Sequence, residues 1–149
     1  WDYAIERALA ENPAIALAVE TKIVEGKSGR VKLHIAGRNG WSNDLRVGMY
    51  LIEDSVQSIF QQGSSEQFLH QHVMKYSLFG FEGDTLQLKS EDRGNEIISQ
   101  TYDPIDLTFY NPDRLYLVAF VFNYDPDFRK MKICNAVKVK FGGTKFWNE

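Results

Sequence analysis

The stretch LYLVAFVFNYDPDFRKMKICNAVKVKF, Leu115 to Phe141, decides the fold. Its first half is apolar on both faces, with Leu115, Leu117, Ala119 and Val121 pointing one way and Tyr116, Val118, Phe120 and Phe122 the other. A strand covered on both sides reads as a near-continuous hydrophobic run, which predicts a central strand with material above and below it. The second half alternates, so Met131, Ile133, Val137, Val139 and Phe141 are expected inward and Lys132, Lys138 and Lys140 outward. Asp125-Pro126-Asp127 supplies turn chemistry between the halves, giving two long antiparallel strands joined by a tight connection.

Upstream, Ile15, Leu17, Val19, Thr21 and Ile23 share one face of Ala14 to Glu25, and Val31, Leu33 and Ile35 repeat the pattern after a GKSG turn. Together they predict a hairpin. Leu45 to Asp54 is a third strand with Leu45, Val47, Met49 and Leu51 inward, and Gly48 marks a bulge or close packing. Val56 to Phe60 and Thr85 to Leu88 are short strand candidates, and Asn95 to Tyr110 is a further apolar segment, broken at Asp103-Pro104. Phe68 to Phe79 is ambiguous. As a strand it puts Phe68, His70, His72, Met74 and Tyr76 on one face; as a helix it groups Leu69, His72, Val73 and Tyr76 behind a Ser64/Gln67 capping box. Val73 and the aromatic content favour the strand.

Trp1 to Glu11 has helix formers, with Asp2 as a cap and Pro13 forcing an end near Asn12. The expected organisation is a short helix over 1–13, a β-sandwich over 14–141 and a tail over 142–149. About seven strands with closely spaced turn signals predict a mainly β, antiparallel sandwich of immunoglobulin-like or Greek-key type. The immunoglobulin Cys…Trp…Cys pattern is absent, so the match is to the architecture.

A chain of 149 residues is one domain in size, and 44% apolar with 25% charged residues is an ordinary globular composition. A net charge of −3 offers no general attraction to nucleic acid or anionic lipid, and neither is expected as a partner. One cysteine excludes an internal disulfide and a cysteine-based zinc cage. No apolar run approaches the ~20 residues of a membrane-spanning helix. The chain opens at Trp1 with neither a Met nor a signal peptide, as expected of a piece of a longer protein.

Motif-borne chemistry is sparse: there is no glycine-rich phosphate loop, G-x-S-x-G elbow, H-E-x-x-H or EF-hand loop. His70-Gln71-His72 is the sharpest candidate. On a strand the two imidazoles share a face and can converge on one metal, with Glu53 or Asp54 from the neighbouring strand as third ligand; His34 is a poorer third, on a lysine-bearing outer face. H-x-H alone is a weak signal, and hydrogen bonding to strand ends or loops is the commoner use of such histidines. Glu53 and Asp54 as a catalytic carboxylate pair are disfavoured, because adjacent strand residues point to opposite faces; Asp54 fits a turn cap ahead of Ser55.

Three Trp, seven Tyr and ten Phe raise a third use. Trp41, Phe79, Phe81 and Phe128 fall in predicted loops, where rings either stack on sugars and fill a partner's pocket or fold back over the open ends of a sandwich. Folding back is favoured, since small domains use most large rings for core. Cys134 is expected on the outward face of the last strand, as an inert, partly covered thiol rather than one made acidic by nearby lysines.

Three segments together, MYLIEDSV (Met49 to Val56), HQHVMKYSLFG (His70 to Gly80) and LYLVAFVFNYD…ICNAVKVKF (Leu115 to Phe141), resemble the C-terminal domain of the twenty-eight-kilodalton outer-membrane protein family of Bacteroides-like bacteria. Ile52, Gln71 and Met74-Lys75 replace that family's usual Thr, Asn and Leu-Arg, which puts any polar site built on the Thr or Arg in doubt. The resemblance implies a lipoprotein-type signal and a thioredoxin-like domain upstream, with the helix over 1–13 as the join. It also implies a cell-envelope location, periplasmic or outer-membrane-associated, or else secretion, and no defined reaction. The expected function is a non-enzymatic interaction module without a cofactor, meeting a protein or glycan partner through loops at one end or an exposed strand edge. The alternatives are a carbohydrate-binding module using loop aromatics and a metal-dependent enzyme at His70 and His72.

Overall fold

A computed structural model describes residues 15–37, 44–58, 68–86 and 97–146. The helix expected over 1–13 lies outside them. The elements are strands β1 (Ile15–Val24), β2 (Ser28–Gly37), β3 (Leu45–Glu53), β4 (Val56–Ser58), β5 (Phe68–His70), β6 (Val73–Ser77), β7 (Asp84–Thr85), β8 (Ile97–Asp106), β9 (Leu115–Asn123), β10 (Lys132–Lys140) and β11 (Thr144–Lys145). Short 3₁₀ turns occupy Pro112–Arg114 and Phe128–Lys130.

All pairings are antiparallel. One sheet runs β11-β1-β2-β8; the second runs β10-β9-β3-β6, with β7 on the same edge of β3 as β6; β4 and β5 form a separate two-stranded ribbon. The alternating residues explain the layering. Leu17, Val19, Val31, Leu33 and Ile35 of the first sheet and Leu45, Val47, Met49, Leu51, Leu115, Leu117, Ala119 and Val121 of the second form one buried cluster between the sheets. Leu115, Leu117, Ala119 and Val121 are each 0% exposed, which makes β9 the interior strand that Leu115 to Asn123 predicts. Each fully buried aliphatic side chain of this kind contributes roughly 1.5–3 kcal/mol relative to exposure.

The other face of β9 is covered by its own neighbours. Phe120 stacks on Tyr50 (ring centroids 5.6 Å apart) and touches Phe122 (5.7 Å), while Lys138 lies over Tyr116 at 4.4 Å. Gly48 is where the Phe120 ring crosses β3: a Cβ there would sit 2.6 Å from Phe120 Cε2, so close packing rather than a bulge explains that glycine.

Four expectations change. Ile133, expected inward, is 59% exposed, and Cys134 instead packs beside the core. The cause is a register shift between Ile133 and Asn135, which drops Cys134 out of the ladder and turns Ile133 onto the outer face with Phe122. Asp103-Pro104 does not end its segment: β8 passes through it, which an edge strand tolerates because a proline there need not donate to a partner. Phe68 to Phe79 is strand rather than helix but is split at Gln71-His72, into β5 and β6. Finally, part of the expected tail is a strand: β11 pairs with β1, tied at the corner by Thr21, whose buried hydroxyl accepts from the Gly142 N–H and donates to the Gly143 carbonyl, each at 2.8 Å.

Candidate functional site

β6 and β8 are the last strands of their sheets on the same side of the sandwich, so the space between the sheets opens to solvent there. Which residues face that space follows from register. Tyr76 pairs with Leu51, and Tyr102 with Val31; both partners are buried core residues, so Tyr76 and Tyr102 point toward the inter-sheet layer from opposite sheets. The result is a groove of about 650 Å³. Tyr76, Leu78 and Phe79 line it from β6 and the turn after it, residues Thr101 to Asp106 from β8, and Phe109 and Tyr110 from the segment leading to β9. That size lies within the roughly 300–1,000 Å³ of small-ligand clefts.

Its floor is ordered. Phe79 and Tyr102 meet at 5.0 Å between ring centroids. Asp84 of β7 reaches across the layer, and its Oδ2 accepts from both the Tyr102 hydroxyl and the Gln100 amide at 3.1 Å. Burial and the Asp84 charge hold the Tyr102 hydroxyl neutral far above the ordinary tyrosine range. Burial, then Tyr76 and Asp106, push Tyr110 up as well. The rim is accessible: Phe109 is 85% and Tyr76 50% exposed, unusual for large rings that could have joined the core.

The rim also carries two carboxylates. Both Nε and Nη2 of Arg30 bond Asp103 Oδ2, at 2.7 and 2.6 Å. Asp106 Oδ1 accepts the Thr108 N–H at 2.9 Å, and bonds from the Thr108 side chain and backbone, helped by Lys27, lower its pKa.

The sequence-derived candidates distribute differently. Trp41 lies outside the described residues. Phe79 folds back against the core and lines the groove; Phe81 and Phe128 stand exposed in turns away from its lining. Glu53 ends β3 opposite Val73 and Leu115. His70 pairs across from Val56 in the β4–β5 ribbon, and the chain bends between it and His72, whose φ is 54°. The shared strand face that joint metal ligation by His70 and His72 requires is therefore gone. His72 instead meets Asp54: Asp54 Oδ1 lies 2.7 Å from His72 Nδ1 and accepts the His72 backbone N–H at 2.8 Å. Asp54 thus anchors the bend at His72 rather than capping a turn at Ser55. Among the described residues no group of three His, Cys, Asp or Glu is placed to hold a metal.

His34, on the outer face of the first sheet, links Ser99 (Nδ1 to Oγ, 2.6 Å) and Glu20 (Nε2 to Oε1, 2.7 Å) across three strands. This row joins β1, β2 and β8 across the outer sheet face, and none of its three residues lines the groove. Cys134 is partly covered, and burial pushes its thiol pKa up.

Sequence reasoning missed Tyr76, Asp84, Gln100, Tyr102, Phe109 and Tyr110 as one site. The available signal was polar Gln100 and Tyr102 at the inward, period-two positions of β8, where a sealed sandwich would carry aliphatic residues.

Two antiparallel sheets around a single core, open on one side into an aromatic cleft, define an antiparallel β-sandwich. The chain belongs to the outer membrane protein Omp28 family, whose model matches residues 1–145. This confirms the resemblance drawn from Met49–Val56, His70–Gly80 and Leu115–Phe141, and makes the chain an envelope-associated protein. HBP35 of Porphyromonas gingivalis superposes with a TM-score of 0.73 at 16% identity, over 93% of this chain and 45% of that one. This chain thus spans less than half of that relative. A domain of the outer membrane lipoprotein Omp28 from Porphyromonas gingivalis superposes with a TM-score of 0.55 at 16% identity, covering 89% of this chain and 91% of that one. At such identity these likenesses establish the fold. No curated protein sequence matches the chain. No helix among the described residues is long and apolar enough to cross a membrane.

Proposed function

We propose that this domain is a non-catalytic binding module of the cell envelope and that its binding surface is the groove between β6 and β8. The observation that carries this reading is the pairing of a firm floor with an open aromatic rim. Phe79, Tyr102 and Asp84 are locked by ring contact and hydrogen bonds, while Tyr76 and Phe109 stay exposed at the mouth. Exposed rings over an ordered base lose little conformational freedom on binding, which favours affinity. Among the described residues the groove's titratable side chains are Tyr76, Tyr102, Tyr110, Asp103 and Asp106, and both carboxylates are engaged, Asp103 by Arg30 and Asp106 by Thr108. Family membership supports the envelope setting.

Titrating protein and glycan fractions of a Bacteroides-type outer membrane separately into the isotope-labelled chain tests this. At least one fraction is expected to shift the amides of residues 76–79 and 101–110. If neither does, or if the shifts gather around Phe128 or the β4–β5 ribbon, the groove is not the binding surface.

A further inference from the structure

We infer that the ligand of this groove is a neutral oligosaccharide; the inference rests on the reading of the groove as the binding surface and goes on to its chemistry. Two exposed rings, Tyr76 and Phe109, offer flat apolar faces at the mouth, which suit the C–H faces of pyranose rings. Between them the lining presents hydrogen-bond acceptors. Arg30 occupies only Oδ2 of Asp103, so Oδ1 is without a partner among the described residues, and the Tyr110 hydroxyl can both accept and donate.

Charge decides against the competing ligands. Among the described residues no Lys or Arg lines the groove, so it offers an anionic sugar or phosphate no cation of its own to pair with. The carboxylates do not make a cation site either, because Arg30 already neutralises Asp103, and Asp106 is satisfied by Thr108 and faces Lys27. What remains is acceptor capacity with little net field, which is what sugar hydroxyls need. An extended peptide added to the β8 edge fits poorly, since Pro104 has no N–H and the β2–β8 register shifts beside it.

The test is calorimetry on the whole chain, with amide shifts of the isotope-labelled chain read alongside, using neutral hexose and N-acetylhexosamine oligosaccharides of two to four units. Uronate-bearing oligosaccharides and a pool of extended peptides serve as comparators. The expected result is binding of at least one neutral oligosaccharide, weakened about tenfold or more by Phe109→Ala or Tyr76→Ala and unchanged by Phe128→Ala. Both ring positions are substantially exposed, so these variants keep the fold, and an unchanged urea midpoint checks that they do. Tighter binding of uronates, or sugar binding indifferent to Phe109→Ala and Tyr76→Ala, overturns the inference. Peptide binding that shifts residues 76–79 and 101–110 without any sugar binding also overturns it, while leaving the groove as the binding surface. If no probe shifts those residues and neither envelope fraction does, the groove reading falls as well.

Discussion

Asp54 and His72, eighteen positions apart, are joined twice through a single oxygen: Asp54 Oδ1 receives both the backbone N–H and the Nδ1 side of the histidine ring. Because a carboxylate only accepts, the 2.7 Å contact assigns a proton to Nδ1. Lys138, 3.2 Å from the same nitrogen, then acts there as a nearby positive charge rather than as a donor. This double link holds the bend that separates β5 from β6, and hence the start of the strand that carries Tyr76.

The link makes stability pH-dependent. The backbone hydrogen bond from His72, with the charges of His72 and Lys138, lowers the Asp54 pKa below its usual 3.8. A depressed carboxyl pKa stabilises the fold above the unfolded-state value and loses that contribution as pH falls through the folded value. Urea midpoints measured across pH should therefore fall below about pH 4, and Asp54→Asn should flatten that acid limb while lowering the plateau at neutral pH. An acid limb identical in both proteins would contradict the assignment.

Thr21 is a buried polar residue whose hydroxyl ties β1 to the β10–β11 corner. Thr21→Val keeps the shape and strands the Gly142 N–H, at an expected cost of about 1–3 kcal/mol in urea denaturation. Thr21→Ser, which keeps the hydroxyl, should lose distinctly less.

Gly48→Ala forces a methyl group against Phe120, a ring already held by Tyr50 and Phe122. A loss of about 1–3 kcal/mol is expected from this overpacking. Combining it with Phe120→Leu should cost less than the sum of the two single changes, because both act on one contact. Strict additivity would show that the Phe120 ring is free to move aside.

Much of the architecture could be read directly. Alternation in β1, β2 and β3 and the doubly apolar β9 named the facing residues of both sheets, because burial on one face enforces a period of two. The misread positions share one cause, a local departure from that period. The bulge at Cys134 inverted Ile133, the bend at His72 dissolved the H-x-H face, and Asp103-Pro104 read as a break where an edge strand absorbs it. The groove was illegible for a different reason: it exists only because β6 and β8, about twenty residues apart in the chain, end different sheets on the same side. Phe109 in isolation looks like a core residue; its exposure follows from where those two edges stop.

The claim on which the fold and the groove both depend is that Leu115 to Asn123 is paired on both sides at the centre of its sheet while β8 keeps an open edge. Native-state amide hydrogen exchange measures this directly. The amides of Leu117, Ala119 and Val121 should exchange only through global unfolding, with alternate amides of β8 exchanging orders of magnitude faster. Exchange at Leu117, Ala119 and Val121 as fast as along β8 would contradict the account.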